Sequence, residues 1–153
     1  MLKISRLADY ASVILDTLAS VPSEQGLSAT VIAERVRLAL PTVSKILKQL
    51  HDAEIVKSER GTHGGYALNK PTHKITLAAI ITAIDGRPAL TECSHEESTC
   101  QQDRHCALRG NWQLINFLMN DLLANVSLAQ MTQSLLVSSY ARVSSKEKER
   151  TNA

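Results

Sequence analysis

Apolar residues fall at helical spacing from the start of the chain. Leu7, Ala11, Ile14, Leu15 and Leu18 recur every three or four positions, which predicts an amphipathic helix over residues 6–20. Pro22, Ser23 and Gly26 break that pattern and predict a turn. Ser28 is placed to cap a short second helix whose apolar face is Ala29, Ile32, Ala33 and Val36. After the link Arg37-Leu38-Ala39, a third helix starts near Pro41, a residue tolerated in a first turn. It turns Val43, Ile46, Leu47 and Leu50 inward and leaves Thr42, Ser44, Lys45, Lys48 and Gln49 to solvent or a ligand. Two short amphipathic helices across a tight link predict a helix-turn-helix.

Beyond Leu50 the pattern shortens. Ile55–Ser58 and Tyr66–Leu68 read as two strands, joined by Glu59-Arg60-Gly61-Thr62-His63-Gly64-Gly65. Three glycines in that link allow a tight connection, and a hairpin after a helix-turn-helix makes a wing. Residues 1–75, closed by Pro71, therefore form one expected winged helix-turn-helix module. Thr76 caps a connecting helix over 76–86 that carries Leu77, Ile80, Ile81 and Ile84 and ends at Gly86. Residues 87–106 lack periodicity and read as a long loop. Leu108, Trp112, Ile115, Met119, Leu122 and Val126 then alternate at spacings of 4 and 3, a heptad-like seam broadened by Leu114, Phe117, Leu118 and Leu123. A helix this apolar needs cover, and the same helix of a second copy supplies it most economically, as a two-fold dimer. Ser127 and Gln130 form a capping box for a further short helix within 107–143, and the polar residues 144–153 read as a disordered tail. The expected fold class is mostly α: a winged helix-turn-helix with a long C-terminal dimerisation helix.

Composition narrows the class. The 153 residues are 44% apolar and 21% charged, which suits one globular domain. No apolar run reaches the length of a membrane span, and the opening Met-Leu-Lys-Ile-Ser-Arg has no secretory signal, so a cytoplasmic protein without membrane attachment is expected. The net charge of +2 is unevenly spread: residues 1–75 carry +3, residues 76–125 carry −3 and residues 126–153 carry +2. A basic front half is compatible with duplex DNA. Thr42, Ser44 and Lys45 lie near the start of the third helix, where a recognition helix meets base edges; Lys48 and Gln49 follow a turn later, toward backbone. In the wing, Arg60, Gly61 and His63 are the expected DNA contacts. A symmetric dimer would read two half-sites about one DNA turn apart, or a multiple of that. No glycine-rich nucleotide loop, nucleophile elbow or paired-histidine zinc motif is present, so an enzyme is not expected. A protein-interaction module built on the same scaffold is a further alternative.

The chain has three cysteines, Cys93, Cys100 and Cys106, inside fourteen residues. An odd number without an export signal argues against a disulfide framework and for metal or redox chemistry. Three thiolates on one loop suit an iron–sulfur cluster, zinc or bare redox thiols, and a fourth ligand must come from elsewhere. His95 and His105 lie in the same loop, as do the acidic Glu92, Glu96, Glu97 and Asp103, whose charge a bound cation would offset.

The stretch from Val56 through Arg60, Gly61, Gly64, Gly65 and Tyr66 to Leu68 resembles the wing of the bacterial regulators that include IscR and NsrR. Ile75–Gly86 resembles the helix after that wing, the cysteines follow at nearly the family spacing, and Trp112 and Leu114 open what resembles its dimerisation helix. The resemblance covers roughly residues 1–135 and is greatest to regulators of SUF iron–sulfur assembly genes. It implies a homodimeric transcription factor whose DNA affinity follows an iron–sulfur cluster, [2Fe-2S] or [4Fe-4S], on Cys93, Cys100 and Cys106. The IscR-type branch has a histidine ligand three residues after the third cysteine, where this chain has Arg109, a side chain with no lone pair to offer. The NsrR-type branch draws its fourth ligand from an aspartate of the partner's first helix, and the matching residue here is Asp9; His105 is the second choice. The alternative function is a cluster-free winged-helix regulator that senses oxidants or zinc through the same thiols.

Overall fold

A computed structural model describes residues 4–22, 24–59, 64–94, 100–102 and 105–132. Six α-helices and one small sheet account for the regular structure among them: α1 (Arg6–Ala19), α2 (Ala29–Val36), α3 (Leu40–Asp52), β1 (Val56–Glu59), β2 (Gly65–Leu68), α4 (Leu77–Asp85), α5 (Arg109–Ala124) and α6 (Leu128–Thr132). Short 3-10 turns occupy Thr72–Lys74 and Glu92–Ser94. The expected winged helix-turn-helix class is the observed one. Arg60, Gly61, His63 and His95 lie outside the described residues, as does everything after Thr132, including the tail over 144–153.

Local chemistry sets the helix starts. Ser5, Ser28 and Thr76 each accept a hydrogen bond from the backbone N–H three residues on, at 3.1, 3.2 and 3.2 Å, which satisfies one of the donors a helix start leaves open. The helix-turn-helix link turns at Arg37, in the left-handed region at φ 56°. α3 follows from Ala39 without a side-chain cap, with Pro41 in its first turn. Its end is closed by Glu54 at φ 55° and by the Ile55 N–H, which donates to the Leu50 carbonyl at 2.9 Å. That bond is why the strand ladder starts at Val56, one residue later than alternation suggests: the Ile55 donor is already used.

β1 and β2 pair antiparallel, with Val56 opposite Leu68 and Glu59 opposite Gly65. Leu27 adds a bridge on the other side of Tyr66, through two backbone bonds of 2.9 and 2.8 Å. The approach is close enough that a Cβ on Gly65, at φ 152°, would stand 2.6 Å from the Leu27 carbonyl carbon. Gly65→Ala is therefore expected to cost about 2 kcal/mol, from backbone strain and the clash together, read as a lower urea midpoint. An unchanged midpoint would show that the wing base relaxes freely.

The core gathers Ile14 and Leu15 of α1, Ile32 of α2, Leu47 and Leu50 of α3 and Ile80 of α4, all fully buried. Leu128 of α6 joins them at 1% exposure. The chain leaving α5 thus returns to the winged-helix core. Leu77 N–H donates to the Val126 carbonyl at 2.8 Å and Leu128 N–H to the Ile75 carbonyl at 2.7 Å. The Ser127–Gln130 capping box completes the return: the Gln130 side chain accepts from the Ser127 N–H at 2.8 Å, and the Ser127 hydroxyl accepts from the Gln130 N–H at 3.3 Å. Among the described residues no helix is long and apolar enough to cross a membrane.

Candidate DNA-binding surface and cysteine segment

α3 presents two different flanks beside its buried face. Ser44, Lys45 and Lys48 are exposed, whereas Thr42 is half-buried. Among the described residues the ion pairs are His51–Asp52 at 3.9 Å and Lys57–Glu59 at 2.9 Å, and neither involves Lys45 or Lys48. Gln49 is not available to a ligand as its polarity suggests. Its Nε2 donates to the Ile84 carbonyl at 3.2 Å, because that side of α3 packs against the end of α4. Helical spacing alone does not tell which polar flank a neighbouring helix will cover. Leu40, the first residue of α3, is exposed beside the basic surface, a feature periodicity does not flag.

The cysteine segment is bound to α5 rather than free of it. Cys93, 8% exposed, sits in the 3-10 turn Glu92–Ser94. The Thr91 hydroxyl lies 3.2 Å from the Cys93 Sγ and 2.9 Å from the Ser94 hydroxyl, so the thiol is held inside a hydrogen-bonded turn. Cys100 and Cys106 are half-buried, and all three cysteines are thiols. His105 is exposed, as is Asp9 in the first turn of α1, where a carboxylate also complements the helix N-terminus. Among the described residues no three of His, Cys, Asp or Glu stand close enough together to hold a metal ion. The donor chemistry fits a soft metal centre, three thiols on one partly shielded stretch, but the isolated chain does not draw Cys93, Cys100, Cys106, His105 and Asp9 into a shared site.

α5 differs from the other helices in what it turns inward. Buried Asn116, half-buried Asn120 and exposed Gln113 bond the segment before and around Cys93, beside half-buried Met119 and Leu123, the latter packed on the core. Asn116, 9% exposed, accepts from the Leu90 N–H at 3.0 Å. Asn120 Nδ2 donates to the Pro88 carbonyl at 3.1 Å, and Gln113 Nε2 to the Cys93 carbonyl at 3.4 Å. Its outward side is apolar: Leu108, Trp112, Leu114, Ile115, Phe117, Leu118 and Leu122 are all exposed. Met119 is half-buried, so the exposed face is centred further round the helix than the seam of 108, 112, 115, 119 and 122. The three amides were legible in principle, as a second stripe at spacings of three and four, but polar residues on a helix ordinarily point to solvent.

Residues 4–134 match the family model Rrf2, described as an iron-dependent transcriptional regulator. Regulators named IscR from Sodalis glossinidius and Erwinia tasmaniensis are 30% and 32% identical to this chain over 103 and 108 residues, 67% and 69% of its length. Those matches span 62% and 65% of the two relatives, somewhat under two thirds of each. The solved structure of CymR, the global cysteine regulator of Bacillus subtilis, superposes with a TM-score of 0.65 at 26% identity, covering 86% of this chain and 96% of that one. These relatives are named as regulators, and the family match over residues 4–134, with the likeness of fold, places this chain in the Rrf2 family of transcriptional regulators.

Proposed function

We propose that this chain acts as a homodimer that binds two-fold related half-sites on duplex DNA, with its affinity set by an iron–sulfur cluster on the cysteine segment. The observation that carries the reading is the exposed apolar face of α5 beside the amides that hold residues 88–93. A helix with six large apolar side chains toward water, a seventh at its N-cap in Leu108, and amides bonded to the segment of Cys93 is suited to meet a second copy while sensing the cysteines. Ser44, Lys45 and Lys48, with Thr42 beside them, supply the groove face of α3, and Arg60, Gly61 and His63 would extend it from the wing. Cys93, Cys100 and Cys106 would hold the cluster, with Asp9 of the partner or His105 as the fourth donor. Bound there, it would supply a soft redox centre that iron, sulfide or oxidant supply can load or strip. Control of SUF-type assembly genes is the expected output.

Protein purified without oxygen is expected to be coloured, with iron and acid-labile sulfide. Cys93→Ala, Cys100→Ala or Cys106→Ala should each bleach it and change its affinity for DNA. Colourless protein with stoichiometric zinc would overturn the cluster.

DNA contact has its own test. Lys48→Ala should weaken binding across sequences alike and flatten the plot of log affinity against log salt by about 2, since the lysine occurs twice in a dimer. An unchanged slope would remove Lys48 from the phosphate backbone.

A second reading has its own support: the thiols are not gathered, and the CymR likeness is to a regulator named for cysteine. In that reading the same dimer responds to oxidation of the cysteines without a cluster. It predicts no visible absorbance, and DNA affinity that follows reversible thiol oxidation.

A further inference from the structure

We propose that Gln113, Asn116 and Asn120 are positioning residues that convert the state of Cys93 into a movement of α5. This rests on the reading above that the cysteines govern DNA affinity, and it holds for either the cluster or the thiol version.

The three side chains lie at spacings of three and four, one stripe along α5, and each holds a main-chain group of residues 88–93. Asn120 also donates back to the Asn116 carbonyl at 2.9 Å, which fixes its amide against the helix. Asn116 is the one buried polar residue among those described, and its side-chain oxygen Oδ1 accepts from the Leu90 N–H. A directional bond to a buried amide tolerates little sliding, since displacing either partner breaks it. An apolar contact in its place would let the segment slip along the helix at small cost, because apolar packing is non-directional.

Both ends of the linkage are anchored. On one side, Cys93 belongs to a turn closed by the Ser94 N–H to the Thr91 carbonyl at 3.0 Å and by the Thr91 hydroxyl beside the thiol. A change at the sulfur therefore displaces residues 91–94 together. On the other side, α5 ends in the bridge between Thr76 and Ser127, and Leu128 sits in the core shared with α1 and α3. A displacement passed from Cys93 into α5 has its pivot on the module that carries α3. The stripe thus supplies the registered contact that a coupling between the two sites requires.

The experiment uses the full chain, unmodified and after treatment with iodoacetamide, with mass spectrometry showing carboxamidomethylation of Cys93 in every treated sample and in no untreated one. DNA affinity is measured for the two forms of the wild type and of Asn116→Ala. The wild type is expected to shift by about ten-fold on modification, and Asn116→Ala by about two-fold or less. Unmodified Asn116→Ala should bind DNA about as the wild type does, while the Leu90 amide exchanges faster with solvent. Loss of a merely structural contact would lower both affinities alike and leave their ratio unchanged. Should Asn116→Ala fail to fold, Asn120→Ala, which removes the half-buried bonds to the Pro88 and Asn116 carbonyls, gives the same comparison. A variant that responds to modification as strongly as the wild type would overturn the linkage alone. A wild type that does not respond would overturn both the linkage and the regulatory reading beneath it.

Discussion

A chain carrying Leu118→Glu together with Leu122→Glu is expected to sediment as a monomer and to lose about 100-fold or more in affinity for a duplex with two half-sites. The two leucines are 56% and 64% exposed, so neither contributes to the core of its own chain. Their replacement leaves the fold intact and places four carboxylates in the proposed two-fold interface, where burial without partners is strongly disfavoured. A single module then binds without the high effective concentration that the second half-site supplies. The measurements are sedimentation velocity and titration of DNA with one or two half-sites. Affinity for a single half-site should barely change. A variant that stays dimeric would show that the apolar side of α5 is not the contact between copies.

Leu128→Ala is expected to cost about 2–5 kcal/mol, the range for emptying a leucine-sized space in a packed core. Against a net stability of about 5–15 kcal/mol, that is enough to lower the thermal midpoint by roughly 10 °C. The side chain is 1% exposed and touches the core at the point where α6 meets α1 and the turn at Thr72–Lys74. Its loss also loosens the strand-like bridge between Thr76 and Ser127, and with it the attachment of α5 to the winged helix. Urea unfolding with an unchanged slope and a lower midpoint is the expected record. A cost below about 1 kcal/mol would mean that α6 closes the cavity by moving, and that it is not a rigid anchor.

Much of the winged helix is legible residue by residue. Val43, Ile46, Leu47 and Leu50 are buried as their spacing requires, and Ser28, Thr76 and Gly86 cap the helices that their chemistry marks. Gly86, at φ 82°, ends α4 where a side chain would be strained. The candidate site was less legible. Gln49 has the composition of a groove-facing residue but serves α4, and Asn116 has that of a surface residue but is buried against Leu90. α3 has two polar flanks of equal standing, and only the neighbour chooses between them; on α5 the packed segment offers main-chain groups that an amide can bond. Leu128 reads as part of a peripheral short helix, yet the return of the chain after α5 puts it in the core.

By itself the sequence determined the helices, their caps, the hairpin after α3, the crowding of three thiols into one short stretch and the excess of apolar surface on α5. Each of these follows from bonds and spacings within a few residues, and such local preferences act before the chain has closed on itself. The tertiary structure decided which side of α5 faces its own chain, that amides rather than leucines grip the segment of Cys93, and that the end of α5 is pinned to the module bearing α3. Those are contacts between residues distant along the chain, 26 apart for Leu90 and Asn116, and no periodicity encodes which of two compatible faces a distant segment will meet.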